Sequence, residues 1–261
     1  MTTFSQYKIS KINSLNSIHL GRSVTFRTIE NQNEAPKCLL FLNDGQDLEA
    51  LNIIDSINTN ANPELLIVAI HANENRLREY GTAGIPDYKN RGDLAQKHTD
   101  FVLNELLPLI LKKYKLENNP NYQFIAGFSL GGLSAIDIAI NHPSVFSKVG
   151  IFSGSLWWRK KAYEDGYDDE NDRIMHNIVK KKATLKGQKF WFQCGTEDET
   201  SDRNGNGIID SIDDTQDLIV ELCKKDLKIN VDVQYLEIIG GKHNPETWGK
   251  AFGEFLKWLK N

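Results

Sequence analysis

One serine sits among glycines in Gly127-Phe128-Ser129-Leu130-Gly131-Gly132. An apolar run, Tyr122 to Ala126, precedes it and a helical pattern, Leu133 to Ile140, follows. Strand, G-x-S-x-G, helix is the setting of a nucleophile elbow. Glycine on both flanks lets strand and helix backbones approach without Cβ clashes. The serine then stands on a strained turn with its Oγ exposed. The Leu130 N–H, at a helix start, points to where an oxyanion would form. A serine hydroxyl needs a base to take its proton. Of the six histidines, His19, His71 and His98 precede the serine, His142 opens a helix-ending His142-Pro143, and His176 lies in a charged stretch. His243, in Gly240-Gly241-Lys242-His243 between the last strand and the last helix, fits the chain order serine, acid, histidine. The acid is expected after the strand Lys189–Cys194, in Gly195-Thr196-Glu197-Asp198-Glu199. Its task is to hold the imidazole tautomer and stabilise the imidazolium. Asp198 is preferred and Glu197 is next. A second oxyanion N–H belongs to the turn after the Cys38 strand, from Gln46 or Asp47, with Gln46 carried forward. Such a set performs acyl transfer.

A second motif runs from Asp202 to Asp213. Oxygen-bearing side chains fall at positions 1, 3, 5, 9 and 12, with glycine at 6 and an aliphatic residue at 8, as in a calcium loop. The expected ligands are Asp202, Asn204, Asn206 and Asp213, with the carbonyl of Ile208. Position 12 is Asp rather than a bidentate Glu, and a strand and turn precede the loop instead of a helix. The loop is closer to those of dockerins than to a helix-loop-helix pair. The competing reading is an Asn/Gly-rich turn capping the helix from Asp214. A bound Ca²⁺ would be structural, stiffening the loop that presents the acid; catalysis needs no cofactor.

These residues require a scaffold. Ser17 to Ile29 alternates as one early, antiparallel strand, with Tyr7 to Ile12 beside it. Cys38–Leu42 and Leu65–Ile70 are continuous apolar runs, as in strands covered on both faces. His71 to Lys97 has no periodicity and follows a strand end, so it reads as a wall of the site. His98 to Tyr114 is helical, with Val102, Leu106, Leu109 and Ile110 on one face and Pro108 disturbing the helix near Asn104. Lys148–Phe152, Lys189–Cys194 and Val231–Ile239 are further strands. A closing helix is capped by Asn244, starts at Pro245 and buries Trp248, Phe252, Phe255, Leu256 and Leu259. Strands alternating with helices imply a mostly parallel central sheet with helices on both faces. Ligands bind beyond the carboxyl ends of such strands, which gathers the Asp44 turn, the His71 loop, Ser129, the Ser153 turn, Glu197 and His243 at one edge.

The 261 residues suit one domain, with a variable insertion at about 157–187 and the calcium-like insertion at 202–213. A net charge of −4 and the lack of a basic, aromatic-interleaved patch exclude a nucleic-acid footprint. No apolar stretch reaches membrane-spanning length. The start, Met1 to Lys8, has no signal-peptide pattern. Cys38, Cys194 and Cys223 read as buried thiols of a reducing, cytoplasmic compartment.

Taken together, the pieces resemble the putative-esterase family of α/β-hydrolases, the group with enterochelin esterases, feruloyl esterases and esterase D. The matching stretches are Leu42–Gln46, Arg76–Tyr80, Asn104–Pro108, Gly127–Gly132, Ser153–Trp158, Cys194–Asp198 and Gly241–His243, in family order. The resemblance implies an α/β-hydrolase fold, Ser129 as nucleophile, His243 as base and an acid in the Glu197-Asp198 turn. Feruloyl-esterase-like members carry Asp at the position of Asp198. The expected activity is hydrolysis of a small-molecule carboxylic ester, with Trp157 and Trp158 lining an aromatic or sugar-bearing site or packing the insertion onto the core. The alternatives are a thioester hydrolase of the S-formylglutathione type, a peptidase on this fold, or a calcium-stabilised binding protein without activity.

Overall fold

The apolar runs become strands because β-branched and aromatic side chains pack well on a pleated surface buried on both sides. The computed structural model describes residues 6–260; the first five residues of the expected leader-free start lie outside the described residues. In chain order the elements that matter here are β1 (Tyr7–Ile9), β2 (Asn13–Ser17), β3 (Arg22–Asn31), β4 (Cys38–Asn43), α1 (Ile53–Asn60) and β5 (Leu65–Ile70). They continue with α2 (Ala95–Phe101), α3 (Leu107–Tyr114), β6 (Gln123–Phe128), α4 (Leu130–Asn141), β7 (Lys148–Phe152) and α5 (Ile174–Lys181). The last are β8 (Lys189–Glu197), α6 (Asp210–Cys223), β9 (Val233–Lys242) and α7 (Pro245–Leu259).

The strands form one sheet in the order β1-β3-β5-β4-β6-β7-β8-β9, with β2 paired to β3. From β5 to β9 every pairing is parallel, while β3 runs antiparallel to β1, β2 and β5. Side chains alternate between two cores, as a period of two demands. Leu39, Phe41, Val68 and Ile125 face α2–α6, whereas Leu40, Leu42, Ile67 and Ala126 face α1 and α7. The stripe Trp248, Phe252, Phe255, Leu256 and Leu259 is buried as expected.

Two sequence expectations change. Ser17 to Ile29 is not one strand. It is the turn and second arm of a hairpin: Ser17 ends β2, its Oγ accepts the Leu20 N–H at 3.0 Å, and Gly21 turns the chain at φ 64°. Leu109 is 38% exposed, so it does not share the buried face of Val102, Leu106 and Ile110. Pro108 accounts for this. Its missing N–H is accommodated by a π-turn over Val102–Leu106, in which Leu107 N–H reaches the Val102 carbonyl. The extra residue shifts the helical phase, and Leu107 is buried where Leu109 was expected.

Candidate active site

At the end of β6 the chain reverses into α4 within one residue. Ser129 takes φ 53°, ψ −120°, a conformation rare for a residue with a Cβ. Its N–H is tied to the Phe152 carbonyl at 2.8 Å. The turn tolerates no side chain at Gly127, where a Cβ would lie 2.3 Å from the Gly131 carbonyl oxygen. Leu130 is the first residue of α4, so its amide has no acceptor within the helix.

His243 arrives on the segment between β9 and α7. Asn244 caps α7 by accepting the Thr247 N–H at 3.0 Å, and Pro245 starts the helix. This fixes the direction of the chain just after His243. The imidazole Nε2 lies 2.9 Å from Ser129 Oγ, and the ring meets Trp248 edge-to-face at 5.1 Å. The ring keeps an exposed edge. Protein packed around the rest lowers its pKa, with Arg76 acting in the same direction and Asp198 opposing.

Asp198 reaches the site because β8 and β9 approach closely there. A Cβ on Gly195 would lie 2.3 Å from the Gly241 carbonyl oxygen. Gly195 also donates its N–H to Asp198 Oδ2 at 3.0 Å, while Oδ1 is buried without a hydrogen-bond partner. Burial raises the Asp198 pKa; the Gly195 N–H, the Ser153 hydroxyl and the charge of His243 favour its ionised form. The other two acidic residues of the turn point elsewhere. Glu197 is exposed, with Lys242 at 3.8 Å. Glu199 is half-buried, and burial raises its pKa while neighbouring Ser211 opposes the shift. Asp198, Glu199, His243, Ser153 and Trp157 line a cavity of about 210 Å³.

The turn after β4 is built by a side chain to which sequence reasoning gave no role. Asp44 is buried in a left-handed conformation, φ 63°. Arg76 grips it with two bonds, Nε to Oδ1 at 2.7 Å and Nη2 to Oδ2 at 2.9 Å. The Asp44 N–H donates to the Tyr80 hydroxyl at 3.3 Å. Asp47 N–H is spent on the Asp44 carbonyl at 3.1 Å, which removes it as an oxyanion donor. Gln46 has its side chain fixed: Oε1 accepts the Ala72 N–H at 2.9 Å and Nε2 donates to Asp44 Oδ1 at 3.3 Å.

Two further hydroxyls and an indole were also missed. Ser155 Oγ lies 3.3 Å from Ser129 Oγ, and the Trp248 Nε1–H donates to Ser153 Oγ at 2.9 Å. Their signals were present, in the Ser153-Gly154-Ser155 turn at a strand end and the Arg76–Tyr80 stretch. The tryptophan pair divides. Trp157 lines the cavity, but Trp158 is fully buried beside Gly81 and Gly92 and cannot touch a substrate. It packs the insertion onto the core.

In the 202–213 loop, Asp202 accepts the N–H groups of Gly205 at 2.8 Å, Asn206 at 3.2 Å and Gly207 at 2.9 Å. The amides of Asn204 and Asn206 donate to Asp213 Oδ2 at 2.9 and 2.8 Å. Ile208 is partly exposed, and its N–H donates to Asn206 Oδ1 at 2.7 Å. Asp210 turns inward to Arg203, which also holds Asp169 and Asp214. Among the described residues no group of three or more His, Cys, Asp or Glu is placed to hold a metal ion.

The chain is 33% identical over 104 residues to the uncharacterized protein YbbA of Bacillus subtilis (strain 168), a match that spans 38% of this chain and 41% of that protein. Among solved structures it is similar to the enterochelin esterase of Shigella flexneri, with TM-score 0.73 and 18% identity over 95% of this chain and 57% of that one. It is also similar to a ferulic acid esterase, with TM-score 0.72 and 21% identity over 97% of each chain. At these identities the likeness shows the shared fold, the α/β-hydrolase architecture of a mostly parallel sheet between helices. The family model described as "Putative esterase" matches residues 17–259, and the chain belongs to that family.

Proposed function

We propose that the protein is a serine hydrolase that cleaves small-molecule carboxylic esters through an acyl-enzyme. The observation that carries this reading is the Ser129 Oγ to His243 Nε2 distance of 2.9 Å across a strained strand-to-helix turn. Ser129 Oγ attacks the ester carbonyl carbon as His243 Nε2 takes its proton. The amides of Leu130 and Gln46 receive the oxyanion. His243 then protonates the departing alcohol, and water, deprotonated by the same nitrogen, releases the acid. Asp198 is the carboxylate that steadies the imidazolium, since its charge and that of His243 act on each other while Glu197 is exposed beside Lys242. Trp157 forms one wall of the substrate site.

The test is labelling by a fluorophosphonate probe together with hydrolysis of a panel of p-nitrophenyl esters. Wild type labels and turns over. Ser129→Ala and His243→Ala each lose roughly a million-fold in kcat, and the double variant little more, because the triad acts as a unit. Folded wild type that neither labels nor hydrolyses any ester would leave the non-catalytic binding reading in its place.

We also propose that the 202–213 loop takes a structural calcium ion. What supports the reading is the sequence pattern, with Asp202, Asn204, Asn206 and Asp213 at loop positions 1, 3, 5 and 12 on an exposed loop whose side chains bond to one another, and no chemical step passes through it. Any ligand bound only by the folded state raises the melting temperature by mass action. Chelator therefore lowers Tm and added calcium restores it; a melt insensitive to both removes the ion. The cysteines are free, and we propose a reducing, cytoplasmic setting.

A further inference from the structure

Ser153 is buried, polar and left-handed, with φ 44°. A residue with a Cβ persists there only when its surroundings over-determine it. Its backbone N–H donates to the Gln193 carbonyl at 2.7 Å. Its Oγ receives the Trp248 indole N–H at 2.9 Å. An indole nitrogen can only donate, so the hydroxyl is the acceptor in that bond and its single proton remains for another group. Asp198 lines the same cavity as Ser153, and the Ser153 hydroxyl favours its ionised form. Oδ2 of that carboxylate is taken by Gly195, and Oδ1 is buried with no partner. An unsatisfied buried carboxylate oxygen is costly, and the side-chain donors at hand are Ser153 and His243.

We infer that Ser153 is a positioning residue whose hydroxyl, oriented by Trp248, donates to Oδ1 of Asp198 and fixes the carboxylate that His243 needs. This rests on the esterase reading above. Trp248 thereby acts on both partners of the nucleophile. Its ring packs against His243 and stacks on Phe128 at 5.3 Å, while its N–H aligns the acid through Ser153. Ser153 holds the acid and does not touch the reacting atoms.

Removing the hydroxyl has two effects of known sign. The charge on Oδ1 is shared with one donor fewer, so the imidazolium is held more strongly and His243 protonates at higher pH. The carboxylate also gains freedom to turn, so fewer molecules hold the productive tautomer. The other charged group acting on His243 is Arg76, itself paired with Asp44, and Glu199 lines the same cavity. None of these is altered by the substitution.

The experiment compares Ser153→Ala, Ser153→Gly and Trp248→Phe with wild type. It measures kcat and KM of p-nitrophenyl ester hydrolysis from pH 5 to 9, and the titration of His243 by NMR in the resting protein. Ser153→Gly suits the positive φ and lacks the hydroxyl, so it separates backbone strain from the hydrogen bond. Both Ser153 variants are expected to lose about tenfold in kcat, with KM within about twofold. The acidic limb and the His243 titration move up by about half a pH unit. Trp248→Phe moves both in the same direction by less. Ser153→Gly with a wild-type kcat and an unshifted titration would overturn the inference, even if Ser153→Ala is impaired or fails to fold. Should wild type hydrolyse no ester, the esterase reading fails, and the NMR titration still decides the role of Ser153.

Discussion

A serine hydroxyl is only as good a nucleophile as its neighbouring imidazole is a base. Packing around His243 lowers its pKa from the ordinary value, with Arg76 adding to the shift and Asp198 limiting it. The shift favours the neutral ring, the form able to accept a proton. The sign sets the pH profile. Lowering pH protonates His243 and removes the base, so kcat/KM rises with pH through one ionisation below the reference of about 6.5. A profile flat from pH 4 to 8 would remove His243 from that role. The choice of acid is tested at the same scale. Asp198→Asn is expected to lose roughly 10⁴-fold in kcat by stabilising the wrong tautomer, whereas Glu197→Gln, exposed beside Lys242, changes kcat by less than about twofold. The reverse result would transfer the role to Glu197. Ser129 and His243 could be singled out as candidates in the sequence because their types and chain order are constrained by the chemistry, while the acid stayed between Asp198 and Glu197. Ser153 and Ser155 could not, because a hydroxyl gains a role only from what the fold sets beside it.

At the scale of elements, the turn proposed to hold the oxyanion depends on a contact between two distant loops. Asp44 and Arg76 are separated by 32 positions in the chain and share two hydrogen bonds, with the carboxylate buried and the guanidinium partly open to solvent. Arg76→Met leaves the buried Asp44 carboxylate unpaired, which costs about 3 kcal/mol or more of stability. It also releases the turn carrying Gln46. A lower Tm together with a kcat reduced about 10²-fold, a typical loss for one oxyanion donor, is expected. An unchanged melting curve would show that the pair contributes little. The long segment from His71 was legible as an irregular stretch after a strand end but not as the source of this arginine. The same limit explains Leu109. Helical periodicity assumes 3.6 residues per turn throughout, and the π-turn ahead of Pro108 breaks that assumption by one residue.

Over the whole molecule, the sheet is buried between two cores, and polar clamps hold the loops to it. Asp137, on α4, accepts the Ala83 N–H at 2.8 Å and an Asn141 amide N–H at 3.1 Å. Burial pushes its pKa up to about 7, opposed by those bonds and by Lys182. Because the folded value lies above the unfolded one, Asp137 contributes most at low pH, and that contribution is lost as pH rises through about 7. Asp137→Asn removes the titration. The Tm of the variant relative to wild type should therefore climb between pH 5 and 8, and a constant difference would place the titration elsewhere. Among the described residues no helix is long and apolar enough to cross a membrane.

The sequence alone determined the architecture and singled out Ser129 as the candidate nucleophile. Apolar runs alternating with helical patterns leave few ways to bury both faces of a sheet, and a serine between small residues at a strand-to-helix junction is a local feature. The early hairpin was legible as antiparallel but not as two strands, because a short polar turn interrupts neither the alternation nor the composition. The tertiary structure decided how Asp198, among three adjacent acids, is placed relative to His243. It also decided that Trp157 faces the cavity while Trp158 is core, and that Arg76, Ser153 and Trp248 surround the site. Each of these is a question of which side chains from separate strands meet, and how deeply. Adjacent residues of like type carry no mark of that until the chain has packed.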